Sequence, residues 1–216
     1  MDFLPKDQKD LQLSSYWKQF FEFDRFKEGF EWYASFEDLI PYLRLFITDK
    51  HDQKRVVVPG CGNSDLSLKL CTKLGVDGVT VDSFDYEEQV VKKMQESVTP
   101  DLKDKLKFSF GDCTDLSKNY KDQAFDFAVD KGTLDAIAVD NEKETISKCW
   151  AYFNEMVRVL DNDHGVLMIV SLLQPHVLKI ILDFFVLENE QNKYQKSNLF
   201  QVKAFRIEHI EGYAEK

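Results

Sequence analysis

The chain contains few of the residues that build metal sites, disulfide frameworks and nucleic-acid-binding surfaces. Its four cysteines lie far apart with no Cys-x-x-Cys, and its four histidines show no metal-ligand spacing. A zinc site is therefore disfavoured, and the cysteines indicate reduced thiols of a cytosolic or nuclear protein. Lysine and arginine number 28 against 38 aspartates and glutamates, which gives a net charge of -10. That excess disfavours DNA or RNA as the main partner, whereas an acidic surface would attract a basic protein substrate.

Long hydrophobic runs are also missing. The two most apolar windows, residues 166–173 and 177–187, are too short and too interrupted to cross a bilayer. The first residues show neither a basic segment nor an apolar core, so we expect no signal peptide and a cytoplasmic protein that does not bind membranes. Of the 216 residues, 44% are hydrophobic. We expect one domain over residues 1–216, acting as a monomer, with residues 1–33 as an N-terminal arm.

Strand-like and helix-like segments alternate along most of the chain. Strands are predicted at residues 55–58, 79–85, 106–110, 124–129 and 166–172, with a terminal strand or hairpin arm at 200–210. A helix is predicted after a Ser14–Ser15 cap, and the helix that follows the first strand is predicted to end near Gly75. Further helices are predicted at 36–47, 87–97, 142–160 and 175–187, and residues 1–13 are expected to be extended or mobile. This order predicts an α/β fold, a doubly wound and mainly parallel sheet with helices on both faces.

The most informative stretch joins the first strand to its helix through Gly60-Cys61-Gly62-Asn63-Ser64. Glycines let a ligand lie against the backbone, and the helix that follows turns free amides toward it. Asp85 ends the second strand about twenty residues on, where this fold class places a carboxylate for a ribose diol. Asp82 is the competing candidate, but strand alternation puts it on the opposite face.

The glycine loop lacks the features that hold a diphosphate. Asp65 stands where the third glycine of Gly-x-Gly-x-x-Gly belongs, and the Lys-Ser/Thr of a phosphate-binding loop is absent. A ligand that needs a glycine loop, a ribose carboxylate and an adenine shelf, but no diphosphate site, is S-adenosylmethionine. At the tip of the third strand, Asp112 would then hold the adenine amine and Cys113 would cover the ring. Taken alone, each acid could equally be a solvated loop residue or a helix cap.

The same segments resemble a known family. Gly60 to Ser64 resembles motif I of the class I, Rossmann-like S-adenosylmethionine-dependent methyltransferases. The branch that methylates translation elongation factor 1A is similar in four segments, which are Tyr16-Trp17, Trp32-Tyr33, Gly60-Cys61-Gly62-Asn63-Ser64 and Lys131-Gly132-Thr133-Leu134-Asp135-Ala136. The resemblance covers residues 15–175. It implies the class I methyltransferase fold with a seven-stranded sheet.

The resemblance also implies a function and a set of site residues. The function is that of an S-adenosylmethionine-dependent protein-lysine methyltransferase, with translation elongation factor 1A as substrate and no metal. The cofactor-binding residues that it implies are Trp17, Phe21, Trp32, Gly60, Cys61, Gly62, Asn63, Asp85, Tyr86, Asp112, Cys113 and Lys131. Phe21 and Tyr86 could equally be core aromatics. A small-molecule methyltransferase and a cofactor-binding subunit without turnover remain alternatives.

Transfer to a lysine requires a neutral amine beside the methyl donor. An aromatic channel that includes Trp17, Trp32 and Tyr33 would disfavour the ammonium form and face the cationic sulfonium. Asp130, at the tip of the fourth strand, is the candidate for orienting the amine; alternatively, it pairs with Lys131 or caps a helix. We expect the aromatic arm to close over the pocket, because its rings would otherwise stay exposed to water.

Overall fold

A computed structural model describes residues 5–23, 26, 29–48, 54–187, 203 and 205. The strands are β1 (Lys54–Pro59), β2 (Val79–Asp85), β3 (Leu106–Phe110), β4 (Phe127–Lys131) and β5 (Val166–Val170). The helices are α1 (Ser14–Glu22), α2 (Phe36–Phe46), α3 (Leu66–Thr72), α4 (Glu88–Glu96), α5 (Thr133–Ile137), α6 (Lys143–Val159) and α7 (Pro175–Phe185). Short 3₁₀ helices lie at Gln8–Gln12 and Pro100–Leu102.

The five strands form one sheet in the order β3-β2-β1-β4-β5. Every neighbouring pair is parallel, so the predicted doubly wound, mainly parallel fold is confirmed. The strand order reverses between β1 and β4, and in open sheets of this kind ligands bind in the crevice at that point. The seven-strand count is not confirmed, and the predicted terminal strand at 200–210 falls outside the described residues except at positions 203 and 205.

Buried side chains form one layer on each face of the sheet. The first layer joins the sheet to α2, α3 and α4 and includes Leu39, Leu43 and Leu70. The second joins it to α6 and α7 and includes Tyr152 and Phe184. Because the central strands contact helices on both faces, all five residues of β4 are buried. No helix in the described part of the chain is both long and apolar enough to cross a bilayer.

The N-terminal segment differs from the prediction. Residues 8–12 form a 3₁₀ helix that begins at a capping box between Asp7 and Asp10, so this segment is not simply extended. Helix α1 begins at Ser14, but its N-cap residue is Leu13, which provides no side-chain cap. The predicted serine cap is therefore wrong.

The region around β4 and β5 also differs. β4 begins at Phe127 rather than Ala124, because Phe125 forms only an isolated bridge, with Leu160. β5 ends at Val170, two residues before the predicted boundary. The five-residue helix α5 directly after β4 has no counterpart in the prediction, since so short a segment shows no clear helical periodicity.

Candidate functional site

The loop after β1 brings the tips of β1 and β4 into contact. Gly60 and Gly62 both adopt a positive φ, +54° and +51°, a conformation that is unfavourable for residues with a Cβ. A Cβ at Gly60 would lie 2.3 Å from Thr133 Oγ1, so only glycine fits there. The Thr133 hydroxyl in turn donates to the Pro59 carbonyl oxygen at 2.8 Å. Packing of the strand tips thus requires Gly60 independently of any ligand.

Asp85 anchors this loop from the tip of β2. Its Oδ2 accepts the Gly62 amide at 2.8 Å, and its Oδ1 accepts the Glu87 amide at 2.9 Å. Burial raises the pKa of the carboxyl, and the amide donors act in the opposite direction. Asp85 is 6% exposed and borders the cavity described next, whereas Asp82 does not border it. The structure therefore places Asp85 rather than Asp82 at the site.

A cavity of about 330 Å³ lies at the carboxyl ends of β1 to β4. Ordinary small-molecule sites measure about 300–1,000 Å³. All twelve residues predicted to bind the cofactor border this one cavity, and they are Trp17, Phe21, Trp32, Gly60, Cys61, Gly62, Asn63, Asp85, Tyr86, Asp112, Cys113 and Lys131. Their grouping agrees with a single shared ligand, while the contact that each would make stays a prediction. Within the described residues, no three His, Cys, Asp or Glu side chains are placed to hold a metal.

The tip of β3 supplies the side of the cavity predicted for adenine. Asp112 is exposed, and its Oδ1 accepts the amide and the hydroxyl of Thr114 at 2.8 and 2.7 Å. Burial raises the pKa of the Cys113 thiol well above its usual range, so this side chain stays neutral at physiological pH. Tyr86 is 37% exposed and borders the same cavity. Tyr86 is therefore a surface residue of the site and not a core aromatic.

The N-terminal arm forms the opposite side of the cavity with aromatic rings. Trp17 packs on Phe21 and on Trp32, with ring centroids 5.9 Å apart in each pair. The indole Nε1 of Trp17 donates to the Leu11 carbonyl oxygen at 2.7 Å. Phe21 packs against the hydrophobic core as well, and its Cζ would lie 3.2 Å from a Cβ at Gly62. Phe21 thus packs on the core and also borders the cavity, while its contact with a cofactor stays a prediction.

The cavity has two walls of different composition. We call residues 58–64, 84–86, 111–114 and 131–133 the strand-tip wall, because they follow or end strands of the sheet. We call the second the arm wall, which consists of Leu11, Gln12, Trp17, Phe21, Phe30, Trp32 and Tyr33. The strand-tip wall offers backbone and carboxylates, which suit the hydroxyl and amino groups of adenosine. The arm wall offers rings, which suit a sulfonium cation, so the residues present fit S-adenosylmethionine.

Several bordering residues were not predicted. The 3₁₀ helix contributes Gln12, whose amide nitrogen donates to the Ile137 carbonyl oxygen at 2.6 Å. Helix α6 contributes Lys148, whose Nζ donates to Gln12 Oε1 at 3.1 Å. Helix α5 contributes Ala136 and Ile137. Apart from Ala136, which lies in a segment that carries the family resemblance, no sequence signal marks these residues, because they come from short elements or from a surface position of a long helix.

Lys131 borders the cavity with its charge already paired. Its side chain is 5% exposed, and its Nζ lies 2.9 Å from Glu31 Oε2. The same Nζ donates to the Trp32 carbonyl oxygen at 3.2 Å. Glu31 is not among the predicted site residues, since one acid in a polar and aromatic segment gives no signal of its own.

Asp130 is the main correction to the predicted site. It is fully buried and is not among the residues that border the cavity. Its carboxylate accepts the amides of Thr133 and Leu134 at 2.8 and 3.0 Å and the Tyr152 hydroxyl at 2.7 Å. Burial raises its pKa to about 7 in spite of these donors. The structure therefore shows the helix-cap alternative, because Asp130 caps α5 from behind the strand-tip wall.

Comparisons with known proteins agree with this geometry. The sequence profile of a family described as "Methyltransferase domain" matches residues 50–208. The "eEF1A lysine and N-terminal methyltransferase homolog" of Drosophila melanogaster is 34% identical over 189 residues, which are 88% of this chain and 26% of that protein. The "eEF1A lysine and N-terminal methyltransferase" of Mus musculus is 35% identical over 185 residues, 86% of this chain and 25% of that protein. The chain thus spans about a quarter of the length of these relatives.

A solved structure shares the fold. Phosphoethanolamine N-methyltransferase 2 of Haemonchus contortus, in complex with S-adenosyl-L-methionine, matches with a TM-score of 0.51. The match covers 77% of this chain and 35% of that chain at 13% sequence identity. At so low an identity the likeness shows the fold alone.

Proposed function

The chain belongs to the methyltransferase-domain family, and from that premise we propose that it is an S-adenosylmethionine-dependent protein-lysine methyltransferase acting on translation elongation factor 1A. The observation that carries the proposal is one cavity in which the glycine loop, Asp85 and Asp112 face the arm wall. The names of the relatives and the motif resemblance support the choice of substrate. Since the chain covers a quarter of those relatives, activity and substrate both need a direct test.

The strand-tip wall would hold the cofactor. Bound S-adenosylmethionine supplies an electrophilic methyl group on a sulfonium with a neutral leaving group. The carboxylates of Asp85 and Asp112 would accept hydrogen bonds from the ribose and adenine groups, and Gly60 and Gly62 leave the backbone open to the ligand. Methyl transfer of this kind is an in-line displacement, so the main task of the protein is to hold the two reactants in position.

The arm wall would prepare the substrate amine. A lysine with an unperturbed pKa near 10.4 costs about 4–5 kcal/mol to neutralise at pH 7. Trp17, Trp32 and Tyr33 border the cavity, and their rings lower that cost because an apolar channel disfavours the ammonium form. With Asp130 enclosed behind the wall, the released proton would pass to water, and a backbone carbonyl could only accept a hydrogen bond from the amine. We assign no side chain as general base.

The decisive experiment separates binding from transfer. Calorimetry with S-adenosylhomocysteine tests the cofactor site, and labelled S-adenosylmethionine with purified elongation factor 1A tests the reaction. We expect binding, and label on a lysine located by mass spectrometry and lost when that lysine is replaced by arginine. Label on the N-terminal amine would contradict the lysine assignment. Binding without transfer to the factor would contradict the substrate, and absence of binding would contradict the whole proposal.

A further inference from the structure

Glu31 lies where the N-terminal arm meets the glycine loop and the tip of β4. Its Oε2 lies 2.9 Å from Lys131 Nζ and accepts the Ser64 hydroxyl at 2.8 Å. Its Oε1 accepts the Asp65 amide at 2.8 Å. One carboxylate of the arm therefore bonds to two separate parts of the strand-tip wall and to the start of α3.

The contact with Lys131 ties Glu31 to the arm wall. The Lys131 side chain is 5% exposed, and Glu31 supplies a countercharge to it. A buried cation that loses its partner is strongly disfavoured, so without the Glu31 charge we expect Lys131 to move toward water or to lose its proton. The Trp32 carbonyl oxygen accepts from the same Nζ at 3.2 Å. Movement of Lys131 therefore releases a residue that borders the cavity.

The contacts with Ser64 and Asp65 tie Glu31 to the glycine loop. Asp65 is the N-cap residue of α3 but makes no side-chain cap bond of its own. Glu31 accepts the Asp65 amide instead, and an acid at this end of a helix is also favoured by the helix dipole. The Ser64 hydroxyl that donates to Glu31 accepts the Leu66 amide at 3.1 Å. The position of the loop directly after Gly62 thus depends on a residue of the arm.

We propose that Glu31 is a positioning residue for the cofactor, because its carboxylate holds the arm wall and the glycine loop in the arrangement that binds. The proposal rests on the proposed function, since it assumes that the cavity takes S-adenosylmethionine. Glu31 does not border the cavity, so its effect acts through Lys131, Trp32 and Ser64. Removal of its charge should therefore weaken cofactor binding more than it slows the reaction of the saturated enzyme.

The test uses the full chain with Glu31→Gln and a matched control, Glu37→Gln. Glu37 accepts from Lys69 on the surface, its side chain is 58% exposed, and it does not border the cavity. We expect S-adenosylhomocysteine to bind about tenfold more weakly to Glu31→Gln than to the wild type, a factor typical of coupled neighbours. The KM for S-adenosylmethionine should rise by the same factor with kcat little changed. The control should match the wild type in both measurements.

A double variant keeps the proposal testable if Glu31→Gln does not fold. Glu31→Gln with Lys131→Met leaves no unpaired buried charge, and replacements of this kind are often neutral for stability. We expect cofactor to change the tryptophan fluorescence of the wild type through Trp17 and Trp32. We expect the double variant to fold, to bind weakly and to lose this change. Wild-type affinity in either folded variant would overturn the role of Glu31. Lack of binding by the wild type itself would instead contradict the proposed function.

Discussion

The two walls of the cavity are held in place by different kinds of bond. In the strand-tip wall, backbone hydrogen bonds continue the pairing of the sheet beyond the last residues of the strands. These bonds, each 3.0 Å long, join the amides of Cys61, Gly111 and Gly132 to the carbonyl oxygens of Phe84, Asp85 and Val170, respectively. The positions of the strand ends in this wall therefore follow from the parallel sheet itself.

The arm wall is joined to the rest of the protein through side chains. Gln12 donates to the Ile137 carbonyl oxygen, the Asn63 side chain donates to the Phe26 carbonyl oxygen, and Glu31 pairs with Lys131. Each of these links requires one particular side chain, so a single substitution removes it. The strand-tip wall should therefore lose its geometry only when the protein unfolds, whereas the arm wall should become mobile while the fold persists.

The largest effect is expected from Asp85→Ala in the strand-tip wall. The change removes the acceptor of the Gly62 and Glu87 amides. An unsatisfied buried amide costs about 1–3 kcal/mol, so loss of the buried Glu87 bond should lower the free energy of unfolding in urea by about that amount. The Gly62 amide borders the cavity and can bond to water instead. With the loop displaced and the predicted ribose partner gone, S-adenosylhomocysteine should bind at least about a hundredfold more weakly by calorimetry.

Asp82→Asn is the matched control for Asp85→Ala. Asp82 lies on the same strand but does not border the cavity. The affinity of the Asp82→Asn variant for S-adenosylhomocysteine should therefore equal that of the wild type. If Asp85→Ala kept wild-type affinity and stability, the strand-tip wall would not depend on this carboxylate. The predicted role of Asp85 in binding the cofactor would then be wrong.

An intermediate effect is expected from Trp17→Ala in the arm wall. The change removes packing on Phe21 and Trp32, and neither buried cluster of the described residues includes Trp17. Affinity for S-adenosylhomocysteine should fall about tenfold, while the urea midpoint changes little. Trp150→Ala should show the opposite pattern, because Trp150 packs on Phe184 away from the cavity. Equal loss of stability in the two variants would contradict the separation of the walls.

The strand-tip wall was predictable from the sequence. A β-branched run ahead of Gly60, and acids at the ends of later strands such as Asp85 and Asp112, are local patterns that a parallel sheet gathers at one edge. Pattern therefore indicates Gly60, Asp85 and Asp112, whereas Tyr86 and Lys131 are implied only by the family resemblance. Pattern could not assign Asp130, which ends a strand in the same way but turns inward to cap α5.

The arm wall was predictable only in its aromatic residues. Trp17 and Trp32 stand out by type and by resemblance. Gln12, and the neighbouring Glu31 and Lys148 outside this wall, have no such feature in the sequence. Their partners lie far along the chain, for example Ile137 for Gln12. Such long-range side-chain contacts produce no periodic pattern in the sequence, since they depend on how separate elements pack in the folded protein.

The smallest effect on cofactor affinity is expected from Asp130, behind the strand-tip wall, where we expect a pH dependence of stability instead. Burial raises the pKa of this carboxyl from 3.8 to about 7. Between these two pH values the folded protein keeps a proton that the unfolded chain has released, so stability should fall as the pH rises. The slope for a single group is at most about 1.4 kcal/mol per pH unit, and it should level off above about pH 7.

Asp130→Asn isolates this contribution, because the amide does not titrate. The free energy of unfolding of the wild type minus that of Asp130→Asn, measured in urea from pH 4.5 to 8, should decrease with rising pH and then stay constant. Asp161 gives the opposite sign, since the His164 and Asp163 amides hold the pKa of its carboxyl below the usual value. The charged Asp161 carboxylate should therefore stabilise the fold at pH values above the usual aspartate pKa, and this contribution should be lost as the pH falls. A flat difference for Asp130→Asn would mean that this carboxylate is already charged in the folded protein, with its three donors outweighing burial.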